Sequence, residues 1–272
     1  MLQVTLSPCP EPQQELLIAE LDDLAYDSYW QQPHQMVAYI AETDFDEAAL
    51  QAVLAHYPGV QYCREEMPEQ NWNQAWEQHY EPIAIPGVCY IHARFHPPAQ
   101  GYPTVLCIQP QMSFGTGHHA TTRLVIQALA RQQQPYGRVL DMGCGTGILG
   151  IYALANGAER CDFYDIDPQC VENTRDNLAL NGQQAHCVQV GEPAAIPDGT
   201  FYHTILANIN RNILLQHAPA YAQLLQPGGS LYLSGFYTYD VPLLSRHVQA
   251  LGLALADQWA EGEWACLRFD KG

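Results

Sequence analysis

Hydrophobic positions change period along this chain, and the changes divide it. Between residues 2 and 63, short alternating runs suited to half-buried strands are interleaved with two runs of helical spacing. Residues 2–6 read as a strand, and Glu11 to Leu24 as a helix with Leu16, Leu17, Leu21 and Leu24 on one face. Tyr26 to Trp30 and Gln35 to Ala41 read as two strands around a turn at Pro33-His34. Asp44 is placed to cap a second helix, with Glu47 three positions on and Leu50, Val53 and Leu54 on the apolar face. Val60 to Cys63 make a last short strand. The order β-α-β-β-α-β predicts a small ferredoxin-like α+β unit over residues 1–65.

Residues 66–80 place Trp72, Trp76 and Tyr80 at helical spacing, which predicts an amphipathic linker helix with one aromatic face. From Arg138 strands and helices alternate. Val139–Met142, Cys161–Ile166, Cys187–Val190, His203–Ala207 and Ser230–Ser234 read as strands, and Gly147–Ala155, Gln169–Leu180, Ile213–Leu225 and Val241–Leu251 as helices. Leu253–Trp259 and Trp264–Phe269, parted by Glu261-Gly262-Glu263, form a closing hairpin. Residues 81–272 are therefore expected to form an α/β domain with a doubly wound, mostly parallel sheet.

The 272 residues, 47% hydrophobic, are enough to bury a large core. The formal charge of −18 opposes binding to a duplex or an anionic membrane, and a basic partner is the better electrostatic match. The charge is uneven. Residues 1–80 carry 14 acids against Arg64 alone, a net of −13, leaving −5 for residues 81–272. That asymmetry suits either plain solvation or a docking module for something cationic. Nine cysteines without a C-x-x-C pair suggest reduced thiols in a cytoplasmic protein, with neither disulfides nor a metal site. The first residues carry no basic stretch followed by an apolar one, and no run approaches membrane-spanning length, so no signal peptide or span is expected.

The strongest local signal is Val139-Leu140-Asp141-Met142-Gly143-Cys144-Gly145-Thr146-Gly147, at a strand end that opens a helix. Glycines there let the backbone approach a ligand closely. Asp165 ends the next strand, 18 residues after Gly147, where a carboxylate can accept both ribose hydroxyls of an adenosine-type cofactor. Gly145 to Gly150 also satisfy G-x-G-x-x-G, the dinucleotide fingerprint. Two details favour a nucleoside without pyrophosphate. Asp141 before the turn would repel phosphates, and Gly143 completes D-x-G-x-G-x-G, the pattern of S-adenosylmethionine-dependent methyltransferases. Cofactor contacts are accordingly expected at Asp141, Gly143, Gly145, Gly147 and Asp165.

Two further segments carry polar groups to the strand ends. Ser113-Phe114-Gly115-Thr116-Gly117-His118-His119-Ala120-Thr121-Thr122 is a glycine-bearing loop before a helix, with Thr121 and Thr122 able to cap it or meet a ligand. Its two histidines have no matching set at metal-ligand spacing. Asn208, in Leu206-Ala207-Asn208-Ile209-Asn210, ends the fourth strand of the sheet, where its carbonyl oxygen could hold an amine nucleophile. A turn-forming role fits Asn210 better.

With these residues in place the chain resembles a known family, the bacterial methyltransferases of large-subunit ribosomal protein eleven. The likeness rests on Phe114 to Thr122, on the Asp141 turn with Tyr164-Asp165-Ile166-Asp167-Pro168, and on Ala207-Asn208-Ile209. Asn71-Trp72-Asn73-Gln74-Ala75-Trp76 and Gly262-Glu263-Trp264 are also similar. The resemblance implies a class I, seven-stranded methyltransferase fold with S-adenosylmethionine as donor. It further implies N-methylation of lysine side chains and the α-amino group of that ribosomal protein, gripped by the front domain. It places cofactor contacts at Thr122, Gly143, Asp165 and Asn208, with Asn208 also catalytic. The segment Asn210-Arg211-Asn212 departs from the family's common form. The alternative is a methyltransferase for another protein, a nucleic acid or a small amine. Against a nucleobase stand the absence of Asn/Asp-Pro-Pro-aromatic at Asn208 and the acidic front unit, so no direct nucleic-acid contact is expected.

Overall fold

The computed structural model describes residues 1–66, 80–110 and 113–272. The aromatic linker helix expected around Trp72 and Trp76 lies outside the described residues. The chain divides into two compact units, Met1–Tyr80 and Glu81–Gly272.

The first unit runs β1 (Leu2–Ser7), α1 (Glu11–Asp22), β2 (Ser28–Gln32), β3 (Gln35–Ile40), α2 (Glu47–Leu54) and β4 (Gln61–Glu66). Its sheet has the order β2-β3-β1-β4 with every neighbouring pair antiparallel, the ferredoxin-like arrangement. Alternation in β1 turns Leu2, Val4 and Leu6 to one face, where they meet Leu17, Leu21, Met36, Ile40 and Leu50. Each such fully buried aliphatic side chain contributes about 1.5–3 kcal/mol. Two expectations are corrected. Leu16 is 62% exposed, because the helix buries Gln14, Leu17 and Leu21 instead. The Gln14 amide stays inside by donating to the Cys9 and Gln32 carbonyls. The cap of α2 is Asp46, which accepts from the Ala48 and Ala49 N–H groups, and not Asp44.

The second unit begins with β5 (Ile83–Ile85), β6 (Cys89–His92) and β7 (Thr104–Cys107), a separate three-stranded sheet. Then follow α3 (Ala120–Ala130), β8 (Arg138–Met142), α4 (Ile148–Ala155), β9 (Arg160–Asp165), α5 (Pro168–Leu180), β10 (Cys187–Val190), β11 (Tyr202–Asn208), α6 (Arg211–Leu224), β12 (Leu225–Tyr237), α7 (Val241–Gln249), β13 (Leu253–Glu261) and β14 (Trp264–Lys271). The seven strands are ordered β10-β9-β8-β11-β12-β14-β13. Pairs from β10 to β12 are parallel, while β14 lies antiparallel to both β12 and β13.

Helices cover both faces of this sheet. Val139, Leu206 and Tyr232 pack with α3 and α4, whereas Leu140, Met142, Ile205, Ala207, Leu231 and Leu233 pack with α6 and α7. Strands buried on both sides carry apolar residues on both faces, which explains their short, largely hydrophobic runs. The chain winds from β8 outward to β10, then returns to β11 on the other side of β8. That reversal opens a crevice at the carboxyl ends of β8 and β11. Among the described residues no helix is long and apolar enough to cross a membrane.

Candidate active site

A cavity of about 510 Å³ occupies this crevice. Gly143, Gly145, Asp165 and Asn208 stand in its wall. The glycine turn is held by backbone bonds: the Gly143 and Cys144 N–H groups donate to the Tyr164 carbonyl at 2.8 and 3.1 Å. Gly143 sits at φ +72°, and a Cβ there would come within 2.2 Å of the Ile209 side chain. The position thus needs glycine both for its conformation and for room.

Asp165 closes the turn from the neighbouring strand, and its carboxylate accepts two backbone N–H groups. Asp167 caps α5, its side chain accepting the Gln169 N–H at 2.8 Å. Between them Ile166, 71% exposed, gives the wall an apolar surface. Asn208 ends β11, and its Oδ1 is buried with no hydrogen-bond partner among the described residues. A buried acceptor without a donor is costly, so this oxygen is suited to an N–H or O–H that a ligand brings. Asn210 has a different part: it caps α6 by accepting the Ile213 N–H at 3.2 Å.

Three expected contacts lie off the wall. The alternation of β8 turns Leu140 and Met142 to the α6 and α7 face, so Asp141 faces α4. There its Oδ2 accepts the Gly150 N–H at 2.9 Å. Burial raises the Asp141 carboxyl to about 7, against the lowering effect of that hydrogen bond. Gly147 opens α4 at φ +77°, beside Thr174 and behind the turn. Thr122 is fully buried in α3 with its hydroxyl unpartnered among the described residues, and Thr121, one position earlier, lines the cavity instead. Neither threonine caps the helix. His119 does, its Nδ1 accepting the Thr121 N–H at 3.3 Å.

A further part of the wall is aromatic. His119 meets Trp264 edge-on at 4.5 Å and Phe114 at 5.2 Å between ring centroids, and Tyr237 stacks on Trp264 at 4.3 Å. Burial, and then the Arg123 guanidinium, lower the His119 pKa, with Glu261 opposing them. Arg123 is held by the Glu261 carboxylate and the His118 carbonyl. His118 is engaged with Thr116 Oγ1 and the Glu81 carbonyl. Among the described residues no group of three His, Cys, Asp or Glu could hold a metal ion.

Sequence reasoning missed Ile166, Glu192, His217 and Trp264 as wall residues. Glu192 follows the carboxyl end of β10, a signal available from strand order alone. His217 reaches the wall from α6 and stands 3.6 Å from Glu192. Among the described residues the wall carries the carboxylates of Asp165, Asp167 and Glu192 and no lysine or arginine. Carboxylates, a Cβ-free turn and an unpartnered acceptor together fit a cationic nucleoside and an amine.

Comparisons with known proteins agree. The chain matches the family model for ribosomal protein L11 methyltransferase over residues 9–272. It is 42% identical over 260 residues to the ribosomal protein L11 methyltransferase of Porphyromonas gingivalis, covering 94% of this chain and 90% of that one. Identity to the Phocaeicola vulgatus protein of the same name is 37% over 275 residues, 98% of each chain. The crystal structure of ribosomal protein L11 methylase from Lactobacillus delbrueckii subsp. bulgaricus matches with a TM-score of 0.65 at 26% identity, covering 71% of this chain and 99% of that one.

Proposed function

The chain belongs to the ribosomal protein L11 methyltransferase family, and from that premise we propose that it methylates amino groups of ribosomal protein L11, lysine ε-amino and α-amino alike, with S-adenosylmethionine as donor. The observation that carries this reading is the buried, unpartnered Oδ1 of Asn208 in the cavity wall. An amine nucleophile brings the N–H groups that oxygen needs.

When bound, S-adenosylmethionine supplies an electrophilic methyl group on a cationic sulfur. Asp165 takes the ribose hydroxyls on the lone pairs its backbone partners leave free. Gly143 and Gly145 admit the ligand close to the main chain, and Ile166 offers an apolar surface to a base. Asn208 Oδ1 accepts an N–H of the incoming amine and so turns its lone pair toward the methyl group. Asn208 is the catalytic residue of this proposal and a donor contact as well.

The amine must arrive neutral. For lysine, with a reference pKa of about 10.4, deprotonation at neutral pH costs roughly 4–5 kcal/mol. The proton leaves to solvent or in the low-dielectric pocket beside the cationic donor, where like charge lowers the amine pKa, and rate comes from positioning and water exclusion.

Three carboxylates in the cavity wall without a lysine or arginine among its described residues, and the acidic 1–65 unit, support a basic protein as acceptor over nucleic acid. In this reading the 1–65 unit grips the substrate. Incubation of the purified protein with labelled S-adenosylmethionine and a ribosomal extract tests it. Label on ribosomal protein L11 is expected, whereas label on RNA or on another protein alone would refute the assignment.

A further inference from the structure

The loop that carries Phe114 and His119 is attached to the glycine turn through one residue outside the cavity wall. Thr146 is fully buried. Its N–H donates to the Phe114 carbonyl at 3.0 Å, and its Oγ1 donates to the Gly115 carbonyl at 2.6 Å. The contact is close enough that a Cβ on Gly145 would stand 2.2 Å from the Phe114 oxygen, and one on Gly115 would stand 2.9 Å from Thr146 Oγ1.

The third polar group of Thr146 is secured from behind. Its carbonyl accepts from Asn177 Nδ2 at 2.9 Å, and Asn177 Oδ1 accepts the Gln109 N–H at 2.9 Å. Asn177 is also fully buried, and Asn173 Oδ1 takes its second amide hydrogen at 3.0 Å. Four residues on, Asn181 pairs with both backbone groups of Cys107 at 2.9 and 2.8 Å. Asn181 is the C-cap of α5, and the spacing of four sets it on the same side as Asn177. They grip the chain as it approaches the loop, and Thr146 grips the loop itself.

The geometry points to Thr146 and Asn177 as positioning residues that hold the Phe114 and His119 wall, to which we assign the acceptor because Asp165 and the glycine turn are assigned to the donor, in register with that turn. The kinetic part of this inference rests on the methyl transfer proposed above; the anchoring does not. Neither residue lines the cavity, so both act through the loop. In the reaction a loose loop would misplace the amine while leaving Asp165 and the turn able to bind the donor.

The test compares Thr146→Val, which loses only the hydroxyl, with Thr146→Ser, which keeps it. Hydrogen exchange of the residue 146 amide, which donates to the Phe114 carbonyl, measured without donor, should quicken about fivefold in T146V and stay near wild type in T146S, as loss of one net hydrogen bond requires. Calorimetry with S-adenosylmethionine should give a Kd within about twofold of wild type for both, while the KM for ribosomal protein L11 rises about fivefold in T146V only. Unchanged exchange of that amide in T146V, or no rescue by T146S, overturns the anchoring. A parallel loss of donor affinity overturns it too, since Thr146 would then serve the donor site.

If T146V does not fold, Asn177→Ala is read by the same exchange measurement beside Asn181→Ala, which loosens the approach but spares the turn. Faster exchange of the Thr146 amide in N177A alone supports the anchor, and equal behaviour of the two refutes it. A wild-type protein that binds no S-adenosylmethionine would sink the proposed function and leave the exchange result to decide the anchor.

Discussion

Asp165 reaches from the end of β9 to the turn after β8, where its Oδ2 accepts the Gly145 N–H at 2.9 Å. Its Oδ1 accepts the Asp167 N–H at 3.0 Å. Two backbone donors therefore fix the carboxylate before any ligand arrives, and the free lone pairs are aimed without further ordering. Preorganisation of this kind lowers the entropic cost of binding.

Asp165→Ala removes the clasp and the support of the turn together. Hydrogen bonds to a charged group contribute about 1.5–3 kcal/mol each, so the Kd for S-adenosylmethionine should rise at least about tenfold. Calorimetry reads this directly. An unchanged Kd would reduce Asp165 to a brace for the turn.

Asn208→Ala removes an oxygen that has no hydrogen-bond partner among the described residues, so little stability should be lost with it. Turnover should fall by roughly a hundredfold, the scale of effect expected when a nucleophile loses its alignment. Single-turnover methylation, read beside a thermal melt, separates the two quantities. Wild-type turnover in a folded N208A protein would remove Asn208 from the mechanism.

The β8–α4 turn was legible because its strand, glycines and following acid are consecutive features of the chain. Asn208 was legible for a similar reason, since it ends an apolar run of strand length. What the pattern hides is direction. Asp141 and Thr122 lie beside wall residues in sequence, yet strand alternation turns one toward α4 and helical geometry turns the other inward. Strands β5 to β7, of three or four residues each, are too short for an alternating pattern to register. Trp264 reaches the cavity only because β14 inserts between β12 and β13, a pairing between segments distant in sequence. The shift of the α2 cap from Asp44 to Asp46 is a boundary error of two residues, within the ordinary fraying of helix ends.

Asp141 predicts a pH dependence of stability. Its carboxyl is raised to about 7 in the folded chain, chiefly by burial, against an ordinary value of about 4 when unfolded. A raised folded pKa means that the stabilising contribution is present below pH ~4 and is lost as pH rises through ~7, by a total on the order of 4 kcal/mol. Asp141→Asn keeps an acceptor for the Gly150 N–H and has no charge to bury. Its melting temperature should exceed that of the wild type by more at pH 8 than at pH 5. Parallel pH profiles for the two proteins would show that Asp141 does not titrate in this range.

Gly145 and Gly157 separate backbone strain from contact at the turn. Both have left-handed φ, +55° and +94°, but a Cβ on Gly145 would lie 2.2 Å from the Phe114 carbonyl oxygen whereas one on Gly157 meets nothing within 4 Å. Each alanine substitution pays about 1–2 kcal/mol for the backbone conformation. Only Gly145→Ala must also push the Phe114 loop off the turn, breaking the Thr146 bonds and widening the cavity at its aromatic wall. G157A should therefore lower the melting temperature and leave donor and acceptor constants near wild type. G145A should lower it further and weaken both substrates. Equal behaviour of the two variants would mean that the close approach of loop to turn has no bearing on the site, and that the left-handed backbone alone explains the glycine.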